Sequence, residues 1–357
     1  MVPRRHLGRD RARLLAARSP GNLARHHPGS APARRDLAGR ILTVQKPLCI
    51  VNPNAGGGKT GRTFETWRHA VENALGPSEF VRTESHGDGI RLAQEGALAG
   101  YDRVLAFGGD GTVNEVATGL LRSGKTDVTL GVVAQGTGGD FRRSLGFEHR
   151  LDLYLQAIRE DNVREVDVGE LTFRDHDGNP ATRHFVNVLS AGMGGLVDQY
   201  VATASRTFGS TMAYYGASLR ALANAKRGHL VVKGDGPDGP FEAKVSSLMF
   251  AICNGRYFGS GMKVAPRAEL DDGVFEIVSL TAPTKLGFAL YTKDIYAGTH
   301  MRTAQSFRAT HLSVDLENEE ARSSFLLDVD GEPLGTLPLE VRVLPKALRV
   351  FTPSAPS

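Results

Sequence analysis

Residues 107–115 read FGGDGTVNE, with three glycines, an aspartate and a threonine at the junction of a strand-like and a helix-like run. Gly108, Gly109 and Gly111 remove Cβ atoms, so backbone can lie against phosphates, and the helix start that follows favours anionic groups. Asp110 would repel a phosphate unless a cation lies between them, which implies Mg²⁺, held directly or through water. A plain Asp-Gly turn with a helix cap is the alternative. The next strand-like run ends the same way, in QGTGGDFRRSLG. There Gly136, Gly138 and Gly139 are permissive backbone and Thr137 offers a hydroxyl. Asp140 is either an N-cap, the commoner role, or points to the cation. Arg142 and Arg143 face phosphate or anionic lipid, or else form a solvated helix face.

A third stretch, NPNAGGGKTG (52–61), follows the apolar run Leu48-Cys49-Ile50-Val51 and looks at first like a P-loop. The pattern G-x-x-x-x-G-K-[ST] requires glycine at position 53, where the chain has Pro53, with no N–H to offer and a fixed φ. The Walker reading fails on its own spacing. Bare backbone at a strand-to-helix turn can still approach phosphate, so the stretch remains a nucleotide-site candidate.

These turns need a scaffold, and the pattern from residue 47 supplies one. A strand (47–52), a helix (62–75), a strand (79–83), a helix (88–98), then DRVLAFGGDG, a helix, and VTLGVVAQ alternate as β-α-β units. That grammar predicts a parallel sheet with helices on both faces and ligands beyond the carboxyl ends of its strands, where the three glycine turns fall. After about residue 165 strand-like runs dominate, separated by turn clusters such as KGDGPDGP, which predicts an antiparallel sandwich or barrel. Helical interruptions are expected near 195–204, 210–226 and 284–297. In the second, Met212, Tyr215, Leu219 and Leu222 share one face, a stripe that reads as core before it reads as lipid pocket.

The chain has 357 residues, enough for two cores, and 41% hydrophobic with 23% charged residues is ordinary for a soluble protein. No apolar run approaches the roughly 18 residues that span a bilayer. Cys49 and Cys253 lie in apolar runs without metal-ligand spacing, so buried free thiols in a reducing compartment are expected. The net charge of +4 is uneven: residues 1–46 hold ten Arg and Lys46 against Asp10 and Asp36, and the remainder carries 32 basic and 37 acidic residues. Residues 1–45 read as a disordered Arg-rich extension, either a solvated tail or a tether to anionic lipid. The net-acidic body lacks basic-aromatic clustering, which argues against a nucleic-acid partner.

Together Asn52-Pro53, GGDGTVNEV, GTGGDF, NGRYFGSGMKVAPRAELDDGVFEI and DVDGEPL resemble the diacylglycerol kinase and sphingosine kinase catalytic family, in particular its bacterial lipid kinases. The resemblance covers roughly residues 46–350; one departure is Gly139, where the family commonly has Asn. It implies an α/β plus all-β fold. A nucleotide domain related to phosphofructokinase and NAD kinase spans 46–165 and is completed by about 345–357, and a lipid-binding β-sandwich spans 166–344. It implies ATP and Mg²⁺ as cofactors, with Asn52, Pro53, Asn54, Ala55 and Gly56, the turn residues Gly109, Asp110, Gly111, Thr112, Asn114 and Glu115, and Thr137 near the nucleotide, and Thr83 more loosely aligned there. The family's D-G-E element is Asp330-Gly331-Glu332, with Asp330 the first choice for the base, Glu332 supporting it or the Mg²⁺ network, and exchange of the two roles left open. By itself DVDGEPL is an acidic β-turn. AELDDGVFE resembles the family's structural Mg²⁺ loop, with Asp272 as carboxylate and carbonyls near Glu269 and Val274; a simple turn is the alternative. Asp167 resembles another family acid linked to Asp110.

The function so implied is ATP- and Mg²⁺-dependent phosphorylation of a lipid hydroxyl, diacylglycerol first, by a cytoplasmic enzyme visiting the anionic inner membrane surface peripherally. Oligomeric state is open, a homodimer included. An NAD kinase-like enzyme shares G-G-D-G-T, and a nucleotide-binding regulatory protein without catalysis is the competing class.

Overall fold

The computed structural model describes residues 46–354 apart from 136–137, 176 and 204–209, together with β1 (Arg34–Arg35) and β2 (Ile41–Leu42), an antiparallel pair in the N-terminal extension. The extension (Met1–Val44) divides from the rest of the chain, and its expected disorder otherwise lies outside the described residues.

The first lobe alternates as its apolar pattern requires: β3 (Leu48–Val51), α1 (Ala55–Arg62), α2 (Phe64–Leu75), β4 (Glu79–Arg82), α3 (Asp88–Leu98), β5 (Arg103–Gly108), α4 (Asp110–Ser123), β6 (Thr129–Ala134), α5 (Asp140–Ser144) and α6 (Leu151–Arg159). The strands lie parallel in the order β4-β3-β5-β6. Val51 pairs with Phe107 and Gly108 with Ala134, so the turns after β3, β5 and β6 leave the sheet side by side. Ile50, Leu105, Leu130 and Val133 are fully buried between helices, as a doubly covered parallel sheet demands.

The second lobe is a sandwich. Its strands are β7 (Val163–Asp175), β8 (Pro180–Phe185), β9 (Val188–Gly192), β10 (Gly228–Gly236), β11 (Gly239–Ser247), β12 (Met249–Cys253), β13 (Phe275–Leu280), β14 (Gln305–Ala309), β15 (His311–Leu316), β16 (Leu326–Val329) and β17 (Glu332–Phe351). Three helices interrupt them: α7 (Met193–Thr203), α8 (Ser210–Asn224) and α9 (Lys285–Ala297). One sheet runs β14-β13-β12-β9-β16; the other joins β11, β10, β15, β17, β7 and β8. Phe185, Phe250, Phe275, Phe325 and Leu312 fill the space between them. The outer face of the first sheet is buried too, with Met249, Cys253, Val278 and Leu280 against Phe288 and Ile295 of α9.

The 20-residue β17 belongs to both lobes. It begins in the hairpin with β16, pairs along β7 from Gly335 to Phe351, and ends parallel to β6, with Arg349 opposite Thr129 and Val350 opposite Leu130. The continuous strand-like stretch 243–254 forms two strands: β11 pairs with β10, β12 with β9 and β13, and Leu248 makes the crossing between sheets. The stripe on α8 is also revised. Among its described side chains Ala217 and Ala221 are buried, Leu222 packs half-buried against the same cluster, Leu219 is 51% exposed, and the side chains of Met212 and Tyr215 lie outside the described residues. Both cysteines are free and buried, and burial pushes their thiols up. No described helix is long and apolar enough to cross a membrane.

Candidate active site

The turn after β3 is built by three successive left-handed residues, Gly56 (φ 61°), Gly57 (φ 68°) and Gly58 (φ 81°), conformations that L side chains resist. A Cβ on Gly56 would stand 2.7 Å from the Gln135 carbonyl oxygen, whereas one on Gly57 would meet open space. The result is a bare backbone arc closed on one side by the turn after β6. Asn52 braces it: its side-chain oxygen accepts from Asn54 N at 3.0 Å, and its Nδ2 donates to Thr112 Oγ1 at 3.0 Å. The three glycines are non-helical although they fall within α1, so the regular helix runs only from Lys59, which is exposed, to Arg62; Pro53 packs against Gly61. Thr83, buried at the end of β4, donates its N–H to Val51 O.

In the turn after β5, Gly108 is bare because the Thr112 side chain occupies the space a Cβ would take. Gly109 precedes α4 in extended conformation. Asp110, expected beside a cation, accepts from Asp140 N and Phe141 N at 3.2 Å each, and its Oδ2 lies 2.8 Å from the Cβ position of Gly138. It therefore caps α5 and clasps the two glycine turns together. Asp140, expected as that cap, instead binds Arg143 Nη1 at 2.7 Å and accepts from Ser260 N at 2.8 Å, reaching into the second lobe. Burial, and then the nearby Asp110 charge, push its carboxyl up to about 6. Arg142 is not on a solvated face: it is buried and donates to Phe147 O. Thr137 lies outside the described residues.

The next turn of α4 faces the second lobe. Asn114 Nδ2 donates to Asp330 Oδ2 at 2.8 Å and to His184 O at 2.9 Å. Glu115 accepts from Gly87 N at 2.8 Å and Gly89 N at 2.9 Å, capping α3, and its Oε1 lies 3.2 Å from His86 Nδ1, in one cluster with Glu332.

Asp330 and Gly331 are the two central residues of the β16–β17 hairpin, both at positive φ (49° and 91°), which Asp-Gly tolerates best. The Asp330 carboxylate is buried and accepts from Val186 N, Asn187 N, Val188 N and Asn114. Burial pushes it up to about 6 against the pull of those donors. Glu332 emerges on the opposite side. Its Oε1 lies 3.0 Å from the Cβ position of Gly111, hard against the GGDG turn, and 3.7 Å from His86 Nδ1. Burial first, then the charges of Glu115 and Asp330, raise it to about 7 while His86 pulls the other way.

The loop at 268–276 does not fit a metal as it stands. Asp272 is held by Arg308 at 2.5 Å and by Val274 N at 3.3 Å, Asp271 by Arg164, and Glu269 is exposed. A divalent ion would have to displace Arg308. Asp167 accepts from Gly273 N and Lys346 N, both at 2.7 Å, and so ties this loop to a bend of β17.

Sequence reasoning missed His86, Ser260 and the amides of 186–188. A lone exposed histidine and three main-chain N–H groups carry no pattern in a sequence, and only the fold brings them to the turns.

A model of the diacylglycerol kinase catalytic domain matches residues 46–171, and a model of the YegS C-terminal NAD kinase beta sandwich-like domain matches 187–352. A Chromohalobacter salexigens protein named "Probable lipid kinase YegS-like" is 30% identical over 273 residues, 75% of this chain and 81% of the relative. The chain belongs to the diacylglycerol kinase-like lipid kinases. A diacylglycerol kinase of Bacillus subtilis is 27% identical to this lipid kinase over 87% of the chain and 97% of its own length. The crystal structure of a diacylglycerol kinase from Bacillus anthracis superposes on it with a TM-score of 0.63 at 23% identity, covering 86% of this chain and 96% of that one, which shows a shared fold.

Proposed function

We propose that this lipid kinase transfers the γ-phosphoryl group of ATP, with Mg²⁺, to a lipid hydroxyl, diacylglycerol giving phosphatidic acid being the leading case. The observation that supports it is the meeting of two turns far apart in the chain: Glu332 lies against Gly111 while Asp330 is bound by Asn114. Phosphoryl transfer asks a protein mostly for positioning and electrostatic stabilisation, and this junction offers bare backbone on one side and a carboxylate on the other.

In this reading the arc at 55–58 and the 108–112 turn hold the nucleotide phosphates. Asp110 is the hard oxygen donor that fits Mg²⁺, whose chemistry is to neutralise charge on the transferring group. Glu332 accepts the proton of the lipid hydroxyl as its oxygen bonds to the γ-phosphorus and the bond to the bridging oxygen breaks. Asp330, with four donors already on its oxygens, fixes the hairpin that aims Glu332. That assignment reverses the first expectation for the pair. The enzyme works at the cytoplasmic membrane surface, and Asp272 is balanced by Arg308 rather than by metal.

The test is transfer of label from [γ-³²P]ATP to mixed micelles of diacylglycerol, phosphatidylglycerol, sphingosine or ceramide, with NAD in parallel. Label in diacylglycerol that vanishes with Glu332→Gln is the expected result. Label in another lipid corrects the acceptor, label in NAD alone overturns the lipid reading, and bound ATP without transfer moves the protein to a regulatory role.

A further inference from the structure

Among the described residues five large hydrophobic side chains are exposed, and four of them lie on α8 and α9: Leu219 (51%), Leu286 (72%), Leu290 (72%) and Tyr296 (49%). Leu286, Leu290 and Lys293 follow one another at four and three residues, so they line one face of α9, while Phe288 and Ile295 bury the other. Lys285 Nζ, at the start of α9, donates to Ala223 O near the end of α8, which clamps the two helices together. Arg220 stacks on Tyr200, Lys226 donates to Glu320 O, and Arg227 donates to Ala282 O, so the cations are held in place around the leucines. Residues 210–227 and 285–297 carry five basic side chains against Asp294, in a body that is otherwise net acidic.

We infer that the α8–α9 face is the surface by which this kinase docks on an anionic lipid leaflet, with Leu286 and Leu290 entering the acyl boundary and Lys293 and its neighbours facing the headgroups. This rests on the lipid-kinase reading and adds to it the orientation of the molecule. α9 is apolar on both sides, Phe288 and Ile295 buried against the sandwich and Leu286 and Leu290 exposed, and the outer leucines with lysines beside them suit the boundary between acyl chains and anionic headgroups. A second copy of the chain fits the face poorly, because a two-fold contact would set like charges against each other. A handful of side chains also falls short of the roughly 1,200 Å² that a stable interface buries. The position suits the chemistry. α9 is about 20 Å long, and its far end meets the 259–262 loop through Tyr296 Oη to Gly259 O at 3.5 Å. Ser260 of that loop holds Asp140, beside the glycine turns. With α9 lying along the leaflet, its far end brings the 259–262 loop, and through Ser260 the Asp140 turn, close to the membrane surface.

Co-sedimentation of the full chain with vesicles of phosphatidylcholine alone, or with added phosphatidylserine, tests this without nucleotide or acceptor. Wild type is expected to prefer the anionic vesicles, Leu286→Ser/Leu290→Ser to lose about tenfold in affinity, and Lys293→Glu to lose the preference and its salt dependence. The double variant keeps its melting temperature and its turnover on detergent-dispersed acceptor, and loses turnover on vesicles. Equal vesicle binding by wild type and double variant overturns the inference, leaving the Arg-rich extension as the anchor. Concentration-dependent self-association abolished by the same variant overturns it in favour of a dimer face. Absence of turnover on any acceptor, with vesicle binding as expected, strikes the kinase reading and leaves the docking face standing.

Discussion

Asp330 and Glu332 are two residues apart on one hairpin, yet their surroundings assign them different work. Asp330 has three backbone amides and Asn114 on its two oxygens, so a proton arriving there would have to displace a donor. Glu332 stands in a partly open gap beside His86 and Gly111 and is raised to about 7. Glu332→Gln is expected to lower kcat by about 10²- to 10⁴-fold while leaving the melting temperature nearly unchanged at about pH 5, where the native glutamate is itself protonated. Asp330→Asn turns an NH₂ group toward N–H donors and is expected to lose about 2 kcal/mol of stability together with activity. Calorimetry beside kinetics on both variants decides the assignment; the reverse pattern returns the base to Asp330. A base with the Glu332 value also requires kcat/KM to climb with pH and level off above about 7, and a profile flat from about pH 5 to 8 would remove Glu332 from proton transfer. Asn114 and Glu115 were readable as members of a turn. Their destinations, the Asp330 carboxylate and the α3 amides, were not, since both partners lie far along the chain.

At the scale of elements, the alternation of the first lobe was legible because each strand is short, apolar and followed by an amphipathic helix. The second lobe was legible as β-rich but not as ordered, because β11 and β12 adjoin without a turn signal while belonging to different sheets. The left-handed arc at 56–58 escaped for the opposite reason: a run of glycines fits many conformations, and packing against Gln135 selects this one. Gly56→Ala is expected to raise the KM for ATP several-fold with a smaller change in kcat, since its methyl would push the arc from Gln135; an unchanged KM would place the nucleotide elsewhere. The 268–276 loop offers a second test. Freed of its partner by Arg308→Gln, Asp272 should acquire a Mg²⁺-dependent rise in melting temperature that wild type lacks. A rise of the same size in wild type would restore the metal to the loop.

For the molecule as a whole, Asp140 near 6 and Glu332 near 7 are acids raised by burial above their usual range. The native chain holds protons on them that the unfolded chain has released above about pH 4, so their linkage makes stability fall as pH rises from about 4 to about 7, then flatten. Melting temperature against pH checks this, and Glu332→Gln should remove part of the slope; a wild-type curve that rises across the window would contradict it.

The shared strand β17 has a consequence during synthesis. Residues 348–351 complete the sheet of the first lobe beside β6, although every other strand of that lobe precedes residue 135. While the ribosome is still making the sandwich, the outer edge of β6 lacks its partner at Thr129 and Leu130 and leaves backbone N–H and C=O groups there unpaired. The nucleotide lobe is therefore the first part translated and among the last finished, and a nascent chain stalled before residue 348 carries an open edge that chaperones must cover.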